Sequence, residues 1–285
     1  MTLSICAVGS LRADARRPSE KLMDLLSRII ASKRLRIEAA KRAVPSARLS
    51  QTAFEVRTGA RRHALLAALE NTDRVNIIAE FKRRSPSKGV IREQADAAAT
   101  ASSYESAGAA AISVLTEADY FDGSLADLRA VRAAVSIPIL RKDFIVDEYQ
   151  VYESAAAGAD ALLLIVAVLA DEALARLCRL TEAELGMDAL VEVHTREELD
   201  RAVASGAKLI GVNNRNLRTF AVSTETSIQL ARLAPADVAL VSESGLTPDE
   251  VCRLTAVGYR GFLVGEALMR AKEPGQELRR FCDSV

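Results

Sequence analysis

From about residue 75 onward, short runs of aliphatic and β-branched residues alternate with longer amphipathic segments at intervals of roughly 20 to 35 residues. That rhythm is the one of βαβ units, in which each crossover returns the chain parallel to the strand it left. Eight strands are predicted: Val75–Glu80, Ala111–Leu115, Pro138–Lys142, Ala161–Val166, Ala189–Val193, Leu209–Asn213, Val238–Ser242 and Gly261–Gly265. Helical patterns fill the intervals, over Ala95–Ala107, Leu125–Ala134, Glu148–Ala157, Asp171–Leu185, Arg196–Ser205, Ser223–Leu233, Pro248–Val257 and Glu273–Phe281. Boundary chemistry agrees with several of them. Thr247-Pro248-Asp249-Glu250 combines an N-cap Thr, Pro at the first helical position and Glu at the third, and Gly158, Gly206 and Gly258 each stand where a helix should stop. No Gly-rich dinucleotide fingerprint follows the first strand, so eight units in about 210 residues predict a (β/α)8 TIM barrel rather than an open doubly wound sheet.

The segment before the first strand has a different period. Ser19 to Arg42 reads as one long helix with Leu22, Leu25, Leu26, Ile29, Ile30 and Leu35 on a stripe and Lys33, Arg34, Arg36, Lys41 and Arg42 around it. Its basic residues are assigned to a solvated face, and the helix is expected to cap one end of the barrel. A second helix is expected over Leu49 to Asn71. The whole chain, 1–285, is thus expected to be one barrel domain, with 1–72 as a helical extension and 73–285 as the eight units.

Composition narrows the function classes. The 285 residues carry 38 Lys+Arg against 38 Asp+Glu, with 49% hydrophobic and 4% aromatic residues and no Trp, the composition of a water-soluble globular chain. Zero net charge lacks the basic footprint of a nucleic-acid binder, so no nucleic-acid partner is expected and an anionic ligand must be held by local groups. Cys6, Cys178, Cys252 and Cys282 are scattered without a C-x-x-C pair, which suits reduced thiols in a cytoplasmic protein. Two His residues, His63 and His194, are too few for a histidine-rich metal centre, and no metal is expected. The longest apolar stretch, Ala161 to Ala170, is about half of the ~20 residues a membrane helix needs, so no membrane association is expected. Met1–Ser10 precedes rather than follows Arg12, Arg16 and Arg17, so a secretory signal is not expected.

Barrel active sites form at the C-terminal ends of the strands, where parity decides which side chains point inward. The first strand ends Glu80-Phe81-Lys82, placing a carboxylate and an ammonium on one face, either as a structural ion pair or as working groups. The third and fifth strands add Lys142 and Glu192. Burial beside a second ammonium predicts a neutral Lys142, able to donate and accept protons near neutral pH, with Glu192 as its partner base. The sixth strand supplies Asn213 for substrate polar groups, while Asn214 and Arg215 are open to either structural or functional roles. Strands seven and eight run into Ser244-Gly245 and Gly265-Glu266; Gly turns at these two strands, with a short helix starting at Glu266, are the barrel arrangement for holding phosphate. Ser85 and Lys82 could complete that site. His194 is assigned to a loop or capping role rather than to catalysis.

With these residues assembled, the sequence resembles the indole-3-glycerol phosphate synthases. The resemblance rests on I-A-E-F-K-R-R-S-P-S-K-G (Ile78–Gly89), I-S-V-L-T-E followed by Y-F-D-G-S (Ile112–Ser124), L-R-K-D-F-I (Leu140–Ile145), L-V-E-V-H (Leu190–His194), I-G-V-N-N-R-N-L (Ile210–Leu217), S-E-S-G (Ser242–Gly245) and F-L-V-G-E-A-L-M (Phe262–Met269). It implies ring closure of 1-(2-carboxyphenylamino)-1-deoxyribulose 5-phosphate with loss of carbon dioxide and water. By position, the resemblance implies that Lys142 is the general acid at the ketone and that Lys82 partners the anthranilate carboxylate and donates a proton in dehydration. It implies Glu192 as the dehydration base, Glu80 as the group that stabilises the cationic intermediate and orients the lysines, and Asn213 as a binder of substrate polar groups. Phosphate would lie on Ser85, Ser244, Gly245, Gly265 and Glu266. Arg215 would brace the acidic residues, and Phe121 and Phe144 are candidates for the anthranilate pocket or for plain packing. Decarboxylation restores aromaticity, so no cofactor is expected. A phosphorylated small molecule is the expected partner, with the chain a monomer or weak homo-oligomer. Two other readings stand beside this one: a Schiff-base aldolase-type barrel with Lys142 as nucleophile, and a non-catalytic phosphosugar-binding barrel.

Overall fold

In the computed structural model, which describes residues 18–216 and 221–284, eight parallel strands close into a barrel. They are β1 (Ile77–Phe81), β2 (Ala111–Leu115), β3 (Ile139–Lys142), β4 (Ala161–Ile165), β5 (Asp188–Val193), β6 (Leu209–Asn213), β7 (Ala239–Glu243) and β8 (Gly261–Val264). Each pairs with its sequence neighbours and β8 returns to β1, so the sheet has no edge. The strands are buried on both faces, as a parallel sheet wrapped by crossover helices requires.

Alternation sorts the strand residues into two cores. Ile78, Ala111, Leu140, Leu163, Leu190, Leu209, Val241 and Leu263 fill the barrel interior. The opposite parity, with Ile77, Ala79, Ile112, Val191 and Val212 among it, packs against the helices. Continuing the inward parity toward the C-terminal ends gives Glu80, Lys142, Glu192, Asn213 and Glu243, so the same rule that fills the barrel with Leu and Ile delivers charged and polar groups to its mouth.

After the N-terminal helices α1 (Pro18–Ala43), α2 (Ser46–Arg57) and α3 (Ala64–Leu69) come α4 (Ala97–Ser106), α5 (Leu125–Ala134), α6 (Glu148–Ala156), α7 (Asp171–Arg179), α8 (Arg196–Ala204), α9 (Glu225–Ala231), α10 (Pro248–Thr255), α11 (Glu266–Arg270) and α12 (Pro274–Cys282). Asp96, Ser124, Asp147, Thr195 and Thr247 each accept a backbone N–H of the first turn that follows them. Beyond Arg179 the chain widens into a π turn, Leu180–Glu184, where a continuous helix to Leu185 is expected; Leu185 N–H reaches back to Leu180 O. No helix among the described residues is long and apolar enough to cross a membrane.

The expected cap is divided between two helices. α1 runs along the loops that follow β2 and β3: Ser32 and Arg36 bind Asp119, and Lys41 binds Asp147. α3 closes the opposite end, inserting Leu65 and Leu69 beneath the interior layer while Asp188 at the start of β5 accepts the Leu65 and Leu66 N–H groups. The single helix expected over Leu49–Asn71 is broken after Arg57, whose guanidinium instead binds the carbonyls of Leu185 and Gly186, and the chain turns through His63 at φ 48°. The apolar stripe on α1 is also corrected. Leu35 is 74% exposed, whereas Lys33 shares the packed face with Ile29 and Ile37 at i±4, because Asp143 meets its Nζ at 2.7 Å. Leu22 and Cys6 have side chains outside the described set.

Candidate active site

The centre of the barrel mouth is Lys142. Its Nζ lies 3.2 Å from Glu243 Oε2 and 3.4 Å from Glu192 Oε2, placing an ammonium from β3 between carboxylates of β5 and β7. Glu80 of β1 contributes further negative potential while its own carboxylate binds Lys82 Nζ. Burial alone would push Lys142 toward the neutral amine, but Glu243, Glu192 and Glu80 together outweigh it and hold its pKa above the ordinary lysine value. The neutral Lys142 expected from burial beside a second ammonium is therefore overturned. The ammonium expected to repel it, that of Lys82, is bound to Glu80, and Glu243 adds a third carboxylate.

Glu192 is buried, which favours its acid form, yet Lys142, His194 and a hydrogen bond from Asn213 keep it below the ordinary carboxylate range. Glu243 shifts the other way: burial and the nearby carboxylates Glu192 and Glu80 outweigh Lys142, and its proton is held more tightly than usual. The two carboxylates flanking one ammonium are thus driven apart in acidity, and they titrate as a coupled set.

Two glycines make room for these acids. A Cβ at Gly265 would stand 2.4 Å from Glu80 Oε1, and one at Gly211 would stand 2.3 Å from Glu243 Oε1. Gly265, expected at the phosphate through its backbone, thus also seats a carboxylate. At the end of β7, Ser244 and Gly245 both take positive φ, 70° and 72°, and a Cβ at Gly245 would meet Val222 at 2.1 Å. Strands β7, β8 and β1 are neighbours, so the Ser244-Gly245 turn, the start of α11 at Glu266 and the buried Ser85 beyond β1 belong to adjoining loops. Lys88 reaches Glu266 at 3.7 Å across this corner.

A family model described as indole-3-glycerol phosphate synthase matches residues 26–281. The chain belongs to the indole-3-glycerol phosphate synthase family. The indole-3-glycerol phosphate synthase of Carboxydothermus hydrogenoformans is 49% identical over 258 residues, covering 89% of this chain and 97% of its own. That of Syntrophobacter fumaroxidans is 50% identical over 262 residues, with 89% and 95% covered, and that of a Nocardioides species is 58% identical over 207 residues, with 72% and 79% covered. Among solved structures, a 3-hexulose-6-phosphate synthase superposes with a TM-score of 0.60 at 14% identity, covering 74% of this chain and all of its own. KGPDC from Streptococcus mutans gives 0.58 at 15% identity, with 74% and 97% covered; both likenesses are of fold. As an indole-3-glycerol phosphate synthase family member the chain is a carboxy-lyase of tryptophan biosynthesis, acting on a phosphorylated small molecule.

The family assignment gives context to the remaining expected residues. Phe121 and Phe144 come together, ring centroids 6.2 Å apart and tilted by 45°, on the loops after β2 and β3. Arg215 donates its backbone N–H to Asn213 Oδ1 and pairs across a bridge with Val222, which links it to the loop around Gly245. Asn214 is buried: its side chain binds Ser242 Oγ, Ser244 O and Ser227, pinning the β6 and β7 loops to α9, a structural role. Leu217 lies outside the described residues. Glu243 is the residue sequence reasoning passed over. The parity that selected Glu80, Lys142 and Glu192 applies equally to Val241 and Glu243, and extending the seventh strand by one residue would have exposed the signal.

Proposed function

We propose that Lys142 is the acid and Glu192 the base through which this member of the family forms indole-3-glycerol phosphate, with Lys82, Glu80 and Asn213 holding the substrate and its intermediates. Attack of the carboxylated ring carbon on the ketone breaks aromaticity and builds negative charge on the carbonyl oxygen. An ammonium kept charged by three carboxylates is ready to donate to that oxygen, which is far more basic than an amine once the bond forms. Lys82 pairs with the substrate carboxylate until carbon dioxide leaves, then donates to the departing hydroxyl. Glu192, held ionised, removes the last proton. Phe121 and Phe144 offer apolar faces to the anthranilate ring, and the phosphate rests on Ser85, Ser244, Gly245, Gly265 and Glu266, with Arg215 bracing the loop between them.

The observation that carries this reading is Lys142 Nζ at 3.2 and 3.4 Å from carboxylates of two other strands at the C-terminal end of the barrel. It also weighs against a Schiff base, because an amine must lose its proton before it attacks a carbonyl. The scattered thiols Cys178, Cys252 and Cys282 are all free, which supports residence in a reducing cytoplasm, and the barrel carries its candidate groups on one chain, which supports a monomer or weak homo-oligomer.

The test is direct, since the chain has no Trp and indole emission is read against a quiet background. Purified protein is given the carboxyphenylamino ribulose phosphate. Lys142→Ala is expected to lose about 10²–10⁴-fold in kcat with little change in KM, and Ser244→Ala to raise KM chiefly. Full turnover by Lys142→Ala, or a borohydride-trapped adduct on Lys142, would remove the acid from this position.

A further inference from the structure

His194 begins the loop from β5 to α8, two residues beyond Glu192. Beyond the loop or capping role expected from the sequence, its ring is packed into the site: the side chain is only 10% exposed and stands between two carboxylates. Nε2 lies 3.4 Å from Glu192 Oε1, and Nδ1 lies 3.1 Å from Glu198 Oε2 on α8. The same Glu198 oxygen accepts the His194 backbone N–H at 2.7 Å, which locks that carboxylate against the ring. Nε2 is shielded from water and has no well-directed hydrogen bond, so the polar atom it faces is Glu192 Oε1. Glu192 divides its oxygens, Oε2 to Lys142 and Oε1 to His194, and a continuous row runs Lys142, Glu192, His194, Glu198.

An imidazole lone pair and a carboxylate lone pair facing each other at this distance repel, and a proton between them reverses the sign. The charged groups that face the ring are Glu192 on its own strand, Glu198 on α8 and Glu243 from β7, with Lys142 behind Glu192. Burial opposes a charge on the ring, but these carboxylates outweigh it and favour the imidazolium.

We propose that His194 is a positioning residue that stores a proton beside Glu192 and releases it through Glu192 to Lys142 while substrate fills the mouth. The inference rests on the acid and base roles given above to Lys142 and Glu192. Proton balance supplies the need. The ketone oxygen takes up one proton on ring closure. Carbon dioxide leaves without one, its bonding electrons restoring the aromatic ring. Dehydration consumes one proton to release the hydroxyl as water and returns one to Glu192. Each turnover therefore takes up one proton net. In the proposed step the Nε2–H bond of the imidazolium breaks as a Glu192 O–H bond forms, and that proton moves on to Lys142. The neutral ring keeps its Nδ1–H on Glu198 and is recharged from solvent when product leaves.

The experiment compares wild type with His194→Gln and Glu198→Gln, recording kcat and KM against pH. His194→Gln is expected to lose at least about ten-fold in kcat with KM within about two-fold, and to lose the alkaline limb that deprotonation of the ring imposes on wild type. Glu198→Gln, which keeps a hydrogen-bond acceptor but removes the charge, should move that limb to lower pH. Added imidazole should restore part of the rate of His194→Ala. Because His63 and His194 are the two His residues, His63→Gln leaves a single imidazole, whose NMR titration should lie above the ordinary value near 6.5. Unchanged kcat and pH profile in His194→Gln overturn the proposal. So does a loss of rate with the limb intact and no imidazole rescue, which marks a merely structural role. If the Gln variant does not fold, an ordinary or lowered titration in the single-histidine protein overturns it. Absence of product from wild type would strike the reading of the active site instead.

Discussion

At the scale of single residues, the mouth of the barrel is an electrostatic compromise around one ammonium. Lys142 is buried and still held charged because three carboxylates converge on it, and burial together with the other two carboxylates makes Glu243 hold its proton more tightly than an ordinary carboxyl. Glu243→Gln removes a neighbour that raises the Lys142 pKa. Glu243 raises the His194 pKa as well, so the acid forms of both groups are then lost at lower pH and the alkaline limb of the kcat/KM profile should move downward, by about one pH unit for each ~1.4 kcal/mol of coupling removed. A profile superimposable on wild type would show that Glu243 does not act on Lys142.

At the scale of elements, α1 is fastened to the barrel beside Lys142. Asp143, adjacent to Lys142, binds Arg141 at 3.0 Å, Thr116 at 2.7 Å and Lys33 of α1 at 2.7 Å. Burial favours its neutral form, but Arg141 and Lys33 hold it well below the ordinary carboxylate range. Lys33→Met leaves Asp143 with fewer partners and should cost about 3 kcal/mol in urea unfolding at neutral pH. Stability from a depressed carboxylate is present above its unfolded pKa near 4 and lost as pH falls through the folded value, so the variant and wild type should converge in acid. The π turn at Leu180–Glu184 carries the opposite sign. Burial pushes Glu182 up to about 7, with Asp188 adding to the shift. Its folded pKa exceeds the unfolded one, so its contribution is complete below about 4 and is lost as pH rises through 7. Glu182→Gln should therefore raise the melting temperature at pH 8 and leave it nearly unchanged at pH 4; equal effects at both would rule out ionisation as the cause.

At the scale of the whole molecule, the groups proposed to hold substrate come from β1, β3, β5, β6, β7 and β8, so binding at this site would tie together most of the closed sheet. An unreactive phosphosugar at about 100 times its Kd should add about 2.7 kcal/mol to global stability, measured by chemical unfolding, with amide protection rising in α1 as well as in the barrel. Protection confined to the barrel would show that α1 unfolds independently of the site. Much of this architecture was legible in the chain. The period-two inward parity and the helix caps depend on residues close in sequence, so the eight units, the barrel and the inward Glu80, Lys142, Glu192 and Asn213 follow from pattern alone. The family motifs added the reaction. What pattern could not supply were quantities set by groups far apart in sequence: the buried Lys33 partnered by Asp143, the break before α3 stabilised by Asp188, and the charge on Lys142. A pKa depends on every neighbouring charge in space, and β3, β5 and β7 are separated by about 50 residues at each step, so only closure of the sheet brings Glu192 and Glu243 to the two sides of one ammonium.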